Sequence, residues 1–180
     1  MELQKKKKIC DDKELEKIIH RIASQINEKF TDLSNLILIG IYTRGVYISK
    51  RIKKKIKDIS GSNLKEGILD ITLYRDDLTT IAPNPVVKQS KLDFSIDDKV
   101  IVLVDDVLYT GRTVRAALDA LIDYGRPSKI ALAVLVDRGH RELPIQADFV
   151  GRTIPTSLNE IVEVKLMEVD GEDGIWIMER

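Results

Sequence analysis

Two adjacent carboxylates, Asp105 and Asp106, stand where the apolar run "VIVLV" (100–104) ends, and a Thr110-Gly111-Arg112-Thr113 turn follows at once. A helical pattern begins at that turn. Its first backbone N–H groups and positive helix end therefore favour an anion. Thr110 and Thr113 add hydroxyl donors, and Gly111 lets the backbone approach a phosphate closely. Carboxylates repel phosphate, so the acidic pair must serve another part of the same ligand. A phosphorylated sugar satisfies both halves, with its hydroxyls on Asp105 and Asp106 and its phosphate on the turn. The plain alternative is that one Asp caps the loop and the other is solvated. That suits an acidic pair in general better than one fed by a buried strand. No Gly-Lys-Ser/Thr and no strand-linked GxGxxG is present, so this is neither a Walker loop nor a dinucleotide fingerprint.

The elements that must position these groups follow from hydrophobic periodicity. Residues 12–30 carry Leu15, Ile18, Ile19, Ile22, Ile26 and Phe30 on one helical face. "NLILIGI" (35–41) has the unbroken apolar character of a strand buried on both faces. A second helix follows, with Ile48, Ile52, Ile56 and Ile59 inward and lysines outward. "GILDITLY" (67–74) predicts the next strand, and the aperiodic 75–98 a long loop of the functional kind. "KVIVLVDD" predicts a third strand. Val114, Ala117, Leu118, Leu121 and Ile122 predict a helix ended by Gly125 and Pro127, and "KIALAVLVD" (129–137) predicts a fourth strand. From about residue 139 the pattern breaks into short β-like pieces, expected as an appended substructure. The alternation predicts an α/β fold, a mainly parallel sheet flanked by helices. Ligands bind beyond the carboxyl ends of such strands. There the sequence places Thr43-Arg44-Gly45, Tyr74-Arg75-Asp76-Asp77, Asp105-Asp106 with its turn, and Asp137-Arg138-Gly139.

The bulk numbers set limits. The 180 residues fit one domain with a real core, and one cysteine excludes an internal disulfide framework or thiolate zinc site. Together with the lack of a signal peptide or membrane-spanning run, this predicts a cytoplasmic protein without a membrane partner. Net charge is zero, yet residues 1–60 hold 15 Lys and Arg against 8 Asp and Glu. Charge alone reads as solvated lysine-rich helix faces, although such a segment can also attract polyanions.

"VLVDDVLYTGRT" resembles the phosphoribosyl-pyrophosphate (PRPP) signature of the type I phosphoribosyltransferases. With "GIYTRGVYISKRI", "DITLYRDDL", "GRPSKIALAVLVDRGHRELPI" and "ADFVGRTIPTS", the chain from about residue 12 to 170 is similar to one family. These are the PyrR proteins, bifunctional pyrimidine-operon regulators and uracil phosphoribosyltransferases. The extreme N-terminus and "GEDGIWIMER" carry no such similarity.

The resemblance implies a type I phosphoribosyltransferase fold in one domain over 1–180, with a small C-terminal hood from about 139–180 and a flexible loop. It implies conversion of uracil and PRPP to UMP and pyrophosphate with Mg²⁺, without a strong protein ligand to the metal. Asp105 and Asp106 would hold the ribose hydroxyls. Val107, Leu108, Tyr109, Thr110, Gly111, Arg112 and Thr113 would cradle the 5′-phosphate. Thr43, Arg44 and Gly45 would meet pyrophosphate, with Arg44 serving catalysis beside the two aspartates. Arg75 and Asp76 belong to the flexible loop (74–90), and Arg138 and Val162 would frame uracil. It further implies a homodimer or tetramer, and binding of a pyrimidine-operon leader mRNA when UMP or UTP is bound. His20, Arg21, Lys50, Arg51, Lys53, Lys54, His140 and Arg141 are the candidates for that contact. A salvage enzyme without RNA binding, or one acting on another base, stays open, because the strand-end signature reads the sugar phosphate and not the base.

Overall fold

The computed structural model describes residues 4–76 and 89–179. Its main sheet is five-stranded, built from β2 (Leu36–Ile41), β3 (Lys65–Leu69), β4 (Val100–Leu108), β5 (Lys129–Asp137) and β6 (Phe149–Thr153), in the order β3-β2-β4-β5-β6. Every pairing in it is parallel. Helices α1 (Asp12–Lys29) and α2 (Arg44–Ser60) cover one face, and α3 (Arg112–Ile122) covers the other.

The strand residues divide between the two faces with period two. Leu36, Leu38, Val102, Val104, Ala131 and Ala133 join the core beneath α1 and α2. Ile37, Ile39, Ile101, Leu103, Leu132 and Val134 join the core beneath α3. A sheet covered on both faces needs apolar residues at every position, which is why β2 and β4 lack polar alternation. Helix α1 starts with a capping box: Glu14 N–H donates to Asp11 Oδ1 (2.8 Å) and Asp11 N–H to Glu14 Oε2 (3.2 Å).

A second sheet forms the hood. It is three-stranded in the order β1-β8-β7, from β1 (Gln4–Cys10), β7 (Glu160–Lys165) and β8 (Gly174–Glu179), all antiparallel. A short helix, α4 (Met167–Asp170), links β7 to β8. The N-terminal segment and "GEDGIWIMER", which the sequence reading left without a similarity, thus pair with each other.

Several boundaries differ from the sequence reading. The strand expected over 67–74 stops at Leu69. There the Asp70 carboxylate accepts from the Thr72 N–H (2.9 Å) and hydroxyl (2.6 Å) and turns the chain into a 3-10 turn over Thr72–Tyr74. Ile59 and Ile122 are 40% and 69% exposed, because each lies in the last turn of its helix beyond the covering sheet. Ala116 and Ala120 complete the buried stripe of α3 instead. Part of the tail, Phe149–Thr153, is the fifth strand of the main sheet rather than appended substructure. Residues 77–88 of the expected flexible loop, Asp77 included, lie outside the described residues.

Candidate active site at the sheet edge

Strand order locates the site before any side chain is considered. From β2 the chain steps outward to β3, whereas from β4 it steps the opposite way to β5 and β6. The reversal lies between β2 and β4, the switch point at which open α/β sheets bind ligands. β4 outruns its neighbour there: pairing with β2 ends at Gly40–Val104, while pairing with β5 continues to Leu108–Asp137. Asp105 and Asp106 therefore belong to the strand and not to a loop after it, on an edge that β2 no longer covers. Gly45 seats the start of α2 against the same point, where a methyl group would collide with the Val104 carbonyl oxygen. Thr43 precedes α2, and its peptide bond to Tyr42 is cis.

A cleft of about 720 Å³ follows, lined by Arg75, Asp76 and the continuous run Val107–Val114. Gly111 takes a left-handed backbone (φ 93°) as the residue before α3, a conformation that disfavours side chains. The Arg112 N–H donates weakly to Thr110 Oγ1 at 3.3 Å. Arg112 spans the rim, donating to Asp76 (2.6 Å) and Glu142 (2.6 Å), and these bonds hold its guanidinium charged.

Asp105 is buried and Asp106 is half-buried. Asp105 is 7% exposed, its carboxylate accepts from the Asp106 N–H (2.9 Å), and the Asp106 carboxylate accepts from the Val107 N–H (2.8 Å). Burial pushes the Asp105 carboxyl well above the usual range, and the Asp106 charge adds to this. Burial also raises Asp106, while the Val107 N–H and the Arg44 charge pull it back. Two carboxyls held short of compensating charge suit a ligand that brings hydroxyl donors or positive charge to this edge.

The arginines singled out from sequence are already engaged. Arg44 grips Asp170 on α4 through two bonds (Nε–Oδ2 3.1 Å, Nη2–Oδ1 2.7 Å). Arg51 binds Glu168 (2.5 Å) and Asp173 (2.8 Å). Arg138, 5% exposed, lies 4.0 Å over the Tyr109 ring and donates to Thr156 Oγ1 (3.2 Å) and the carbonyls of Ser157 (3.3 Å) and Glu160 (2.6 Å). It clamps the hood's entry to the phosphate turn. Arg141 donates to the Tyr109 carbonyl (2.6 Å) and to Asp137 (2.5 Å), so it braces the turn from behind. His140 has a left-handed backbone (φ 58°), and its Nε2 lies 2.6 Å from the Thr156 carbonyl oxygen. Val162 packs within the core shared by the hood and α1.

The remaining basic candidates lie apart from this cleft. Arg21 donates to the Gly151 carbonyl beside Arg152, near exposed His20 on α1. Lys50, Lys53 and Lys54 lie along α2. Sequence reasoning missed Asp170 and Asp173, the partners of Arg44 and Arg51. Their signal was the acidic density of "MEVDGED" next to Gly171, whose φ of 73° ends α4. No helix among the described residues is long and apolar enough to cross a membrane.

Comparison with known proteins agrees with this geometry. The Phosphoribosyl transferase domain family matches residues 6–169. The chain is 58% identical over 174 residues to the Bifunctional protein PyrR of Clostridioides difficile, covering 97% of this chain and 98% of that protein. It is 54% identical to the Bifunctional protein PyrR of Pelotomaculum thermopropionicum, covering 98% and 97%. Among solved structures, a hypoxanthine phosphoribosyltransferase from Trypanosoma cruzi superposes with a TM-score of 0.76 at 19% identity, covering 97% of this chain and 96% of that one. A hypoxanthine-guanine phosphoribosyltransferase from Bacillus anthracis gives 0.72 at 17% identity, covering 99% and 100%; at these identities the likeness carries the fold alone. A parallel sheet with an acidic pair and a glycine turn at its switch point, together with more than half the residues in common over nearly full length, places the chain in the PyrR family of phosphoribosyltransferases.

Proposed function

We propose that the chain transfers a phosphoribosyl group from PRPP to uracil, giving UMP and pyrophosphate. We propose also that, with UMP or UTP bound, it regulates a pyrimidine operon by binding leader mRNA. The observation that carries the enzymatic half is the Asp105–Asp106 edge joined to the Val107–Thr113 turn at the switch point. The regulatory half rests on similarity to proteins named bifunctional. By the same resemblance the chain acts as one phosphoribosyltransferase domain in a homodimer or tetramer.

In this reading the turn's amides and the Thr110 and Thr113 hydroxyls hold the 5′-phosphate while Asp105 and Asp106 take the ribose hydroxyls. As pyrophosphate departs, the anomeric carbon becomes cationic, and the two carboxylates stabilise that charge in a site closed against water. Thr43, Arg44 and Gly45 border the departing group. Arg75, whose charge favours ionised Asp105, lines the same cleft. Arg138 and the strand bearing Val162 shape the base side by fixing the hood.

Mg²⁺ prefers oxygen ligands and keeps much of its water. Among the described residues no three His, Cys, Asp or Glu side chains converge on one point. The all-oxygen Asp105–Asp106 pair fits an ion carried in mainly by phosphate and water, and such an ion supplies charge neutralisation for the leaving pyrophosphate.

Incubation with PRPP, Mg²⁺ and either uracil or hypoxanthine tests the base, with UMP as the expected product. Turnover of hypoxanthine without uracil turnover overturns the assignment. Retardation of the leader of its own operon in a gel, increased by UMP, tests the regulatory half. A salvage enzyme without RNA binding is the second reading, favoured by the internal engagement of Arg51 and Arg141.

A further inference from the structure

Two arginines fasten the hood to α2, at positions i and i+7 of that helix, about 10 Å apart along its axis. Arg51, two turns into the helix, binds Glu168 and Asp173. Arg44 is the first residue of α2, beside the edge where pairing with β2 ends and β4 runs on through Asp105 and Asp106. Arg51 already supplies a clamp remote from the cleft, so the clamp at the cleft calls for its own explanation.

Asp170 is held in a fixed geometry. Its Oδ2 accepts from the Leu166 N–H (2.9 Å), which ties the carboxylate to the residue that leads from β7 into α4. From there it takes Arg44 by Nε (3.1 Å) and Nη2 (2.7 Å), the side edge of the guanidinium. The end edge, formed by Nη1 and the second Nη2 hydrogen, makes no hydrogen bond among the described residues. It is a fork that fits two oxygens of a phosphate. The Arg44 side chain is 30% exposed and that of Asp170 17%, so the pair is shielded while guanidinium surface stays open. Three carboxylates act on the Arg44 charge: Asp170 most strongly, then Asp106 and Glu163 of β7. An arginine released from Asp170 is drawn towards Asp106, the carboxylate that this edge needs for the sugar.

We propose that Asp170 is a positioning residue for the reaction: it holds Arg44 by one edge, so that the other edge meets the departing pyrophosphate, and keeps it off Asp106. The hood thereby serves the leaving-group side of the cleft as well as the base side. A flexible arginine must be immobilised each time a ligand binds, whereas one held in advance has already met that cost. Small misplacements of such a group are felt strongly in the rate. The assignment rests on the phosphoribosyl transfer proposed above.

The test compares Asp170→Asn, which removes the charge but keeps an acceptor for the Leu166 N–H, with Glu168→Gln, which weakens only the remote clamp. Calorimetry follows binding of Mg²⁺-pyrophosphate to the full chain, and steady-state kinetics follow UMP formation. Asp170→Asn should lower pyrophosphate affinity and kcat/KM for PRPP, each on the order of tenfold, with the KM for uracil unchanged. With Arg44 already replaced, in Arg44→Met, Asp170→Asn should lower neither any further, as a double-mutant cycle shows for residues that act through each other. Glu168→Gln should lower the melting temperature and leave both quantities alone. Full affinity and turnover in Asp170→Asn overturn the proposal. An undiminished further loss on top of Arg44→Met, an equal loss in Glu168→Gln, or a raised KM for uracil with pyrophosphate affinity intact overturns it too, because each makes the hood itself the cause. If Asp170→Asn does not fold, Asp170→Ser, which also keeps an acceptor, carries the same comparison. Pyrophosphate affinities that follow these expectations without UMP formation uphold the positioning role and sink the uracil reading. No pyrophosphate binding by the unsubstituted chain sinks both.

Discussion

The Val107–Thr113 turn and the hood are built in opposite ways. The turn is one uninterrupted stretch: β4 delivers a buried and a half-buried carboxylate, Gly111 reverses the chain, and α3 begins at Arg112. Its register is fixed by its neighbours β2 and β5, and its chemistry by its own residues. The hood gathers strands that lie far apart in the chain and fastens them with arginines, Arg44 and Arg51 to the α4 region and Arg138 to the start of β7. Chemistry placed in a continuous segment survives loosening elsewhere, whereas a cover assembled at long range depends on a few ionic clamps.

The sharpest way to separate the two is to remove the charge of the acidic pair. Asp105→Asn with Asp106→Asn should lower phosphoribosyl transfer on the order of 10²–10³-fold, measured as UMP formation, with the fold retained in circular dichroism. Stability should move the other way. Both carboxyls have folded-state pKa values raised by burial, so their favourable contribution is full below the unfolded value and is lost as pH rises through the folded one. The double variant should melt higher than the unsubstituted chain at pH 7, with the gap closing towards pH 4. Full turnover in the variant would remove the sugar-binding role from the pair.

The clamp side of the comparison is broken at Arg51. Arg51→Met leaves Glu168 and Asp173 facing each other and should cost about 2 kcal/mol, given the partial exposure of the cluster. That corresponds to a melting temperature lower by about 4–8 °C. Arg51 hydrogen bonds lower Glu168; burial raises Asp173, but the Arg51 bonds outweigh it and that carboxyl is lowered too. The stability they supply is present above their ordinary values of 4.5 and 3.8 and is lost as pH falls through the lowered folded values. Thermal melts from pH 7 to pH 2.5 should therefore be flatter in the variant. An unchanged profile would show the clamp to be energetically silent.

The smallest expected effect lies at the joint between the regions. Gly139 has φ 78°, and a methyl group there would meet nothing within 4 Å. Gly139→Ala should then cost only the left-handed backbone penalty, about 1 kcal/mol, seen as a modest drop in melting temperature. A larger loss would mean that the joint carries packing energy of its own.

The same contrast explains what was legible in the sequence. The run from Val100 to Ile122 declares itself locally, by apolar character, turn chemistry and helical period, and its strand, turn and helix lie where those patterns place them. β5 was bounded correctly because a buried parallel strand between polar ends is an unambiguous pattern. β1 was invisible because a strand whose middle is lysine has no apolar period. It is recognisable only beside β8, where Lys8 lies 5.1 Å over Trp176. β6 is five residues long and contains Gly151, too short for a periodicity argument. Asp170 and Asp173 could be seen as acidic but not as the partners of Arg44 and Arg51, since that pairing spans more than a hundred residues.

The pairing of β1 with β8 also sets an order of events during synthesis. β1 has no strand partner until β8, made after the whole parallel sheet, has left the ribosome. Until then Lys7 and Lys8 give β1 a charged edge that resists pairing with other chains. The parallel sheet and its phosphate turn can form meanwhile. A chain cut short before Gly174 would carry the Asp105–Thr113 segment with its cover unfinished, so completion of the hood certifies that translation has run through β8.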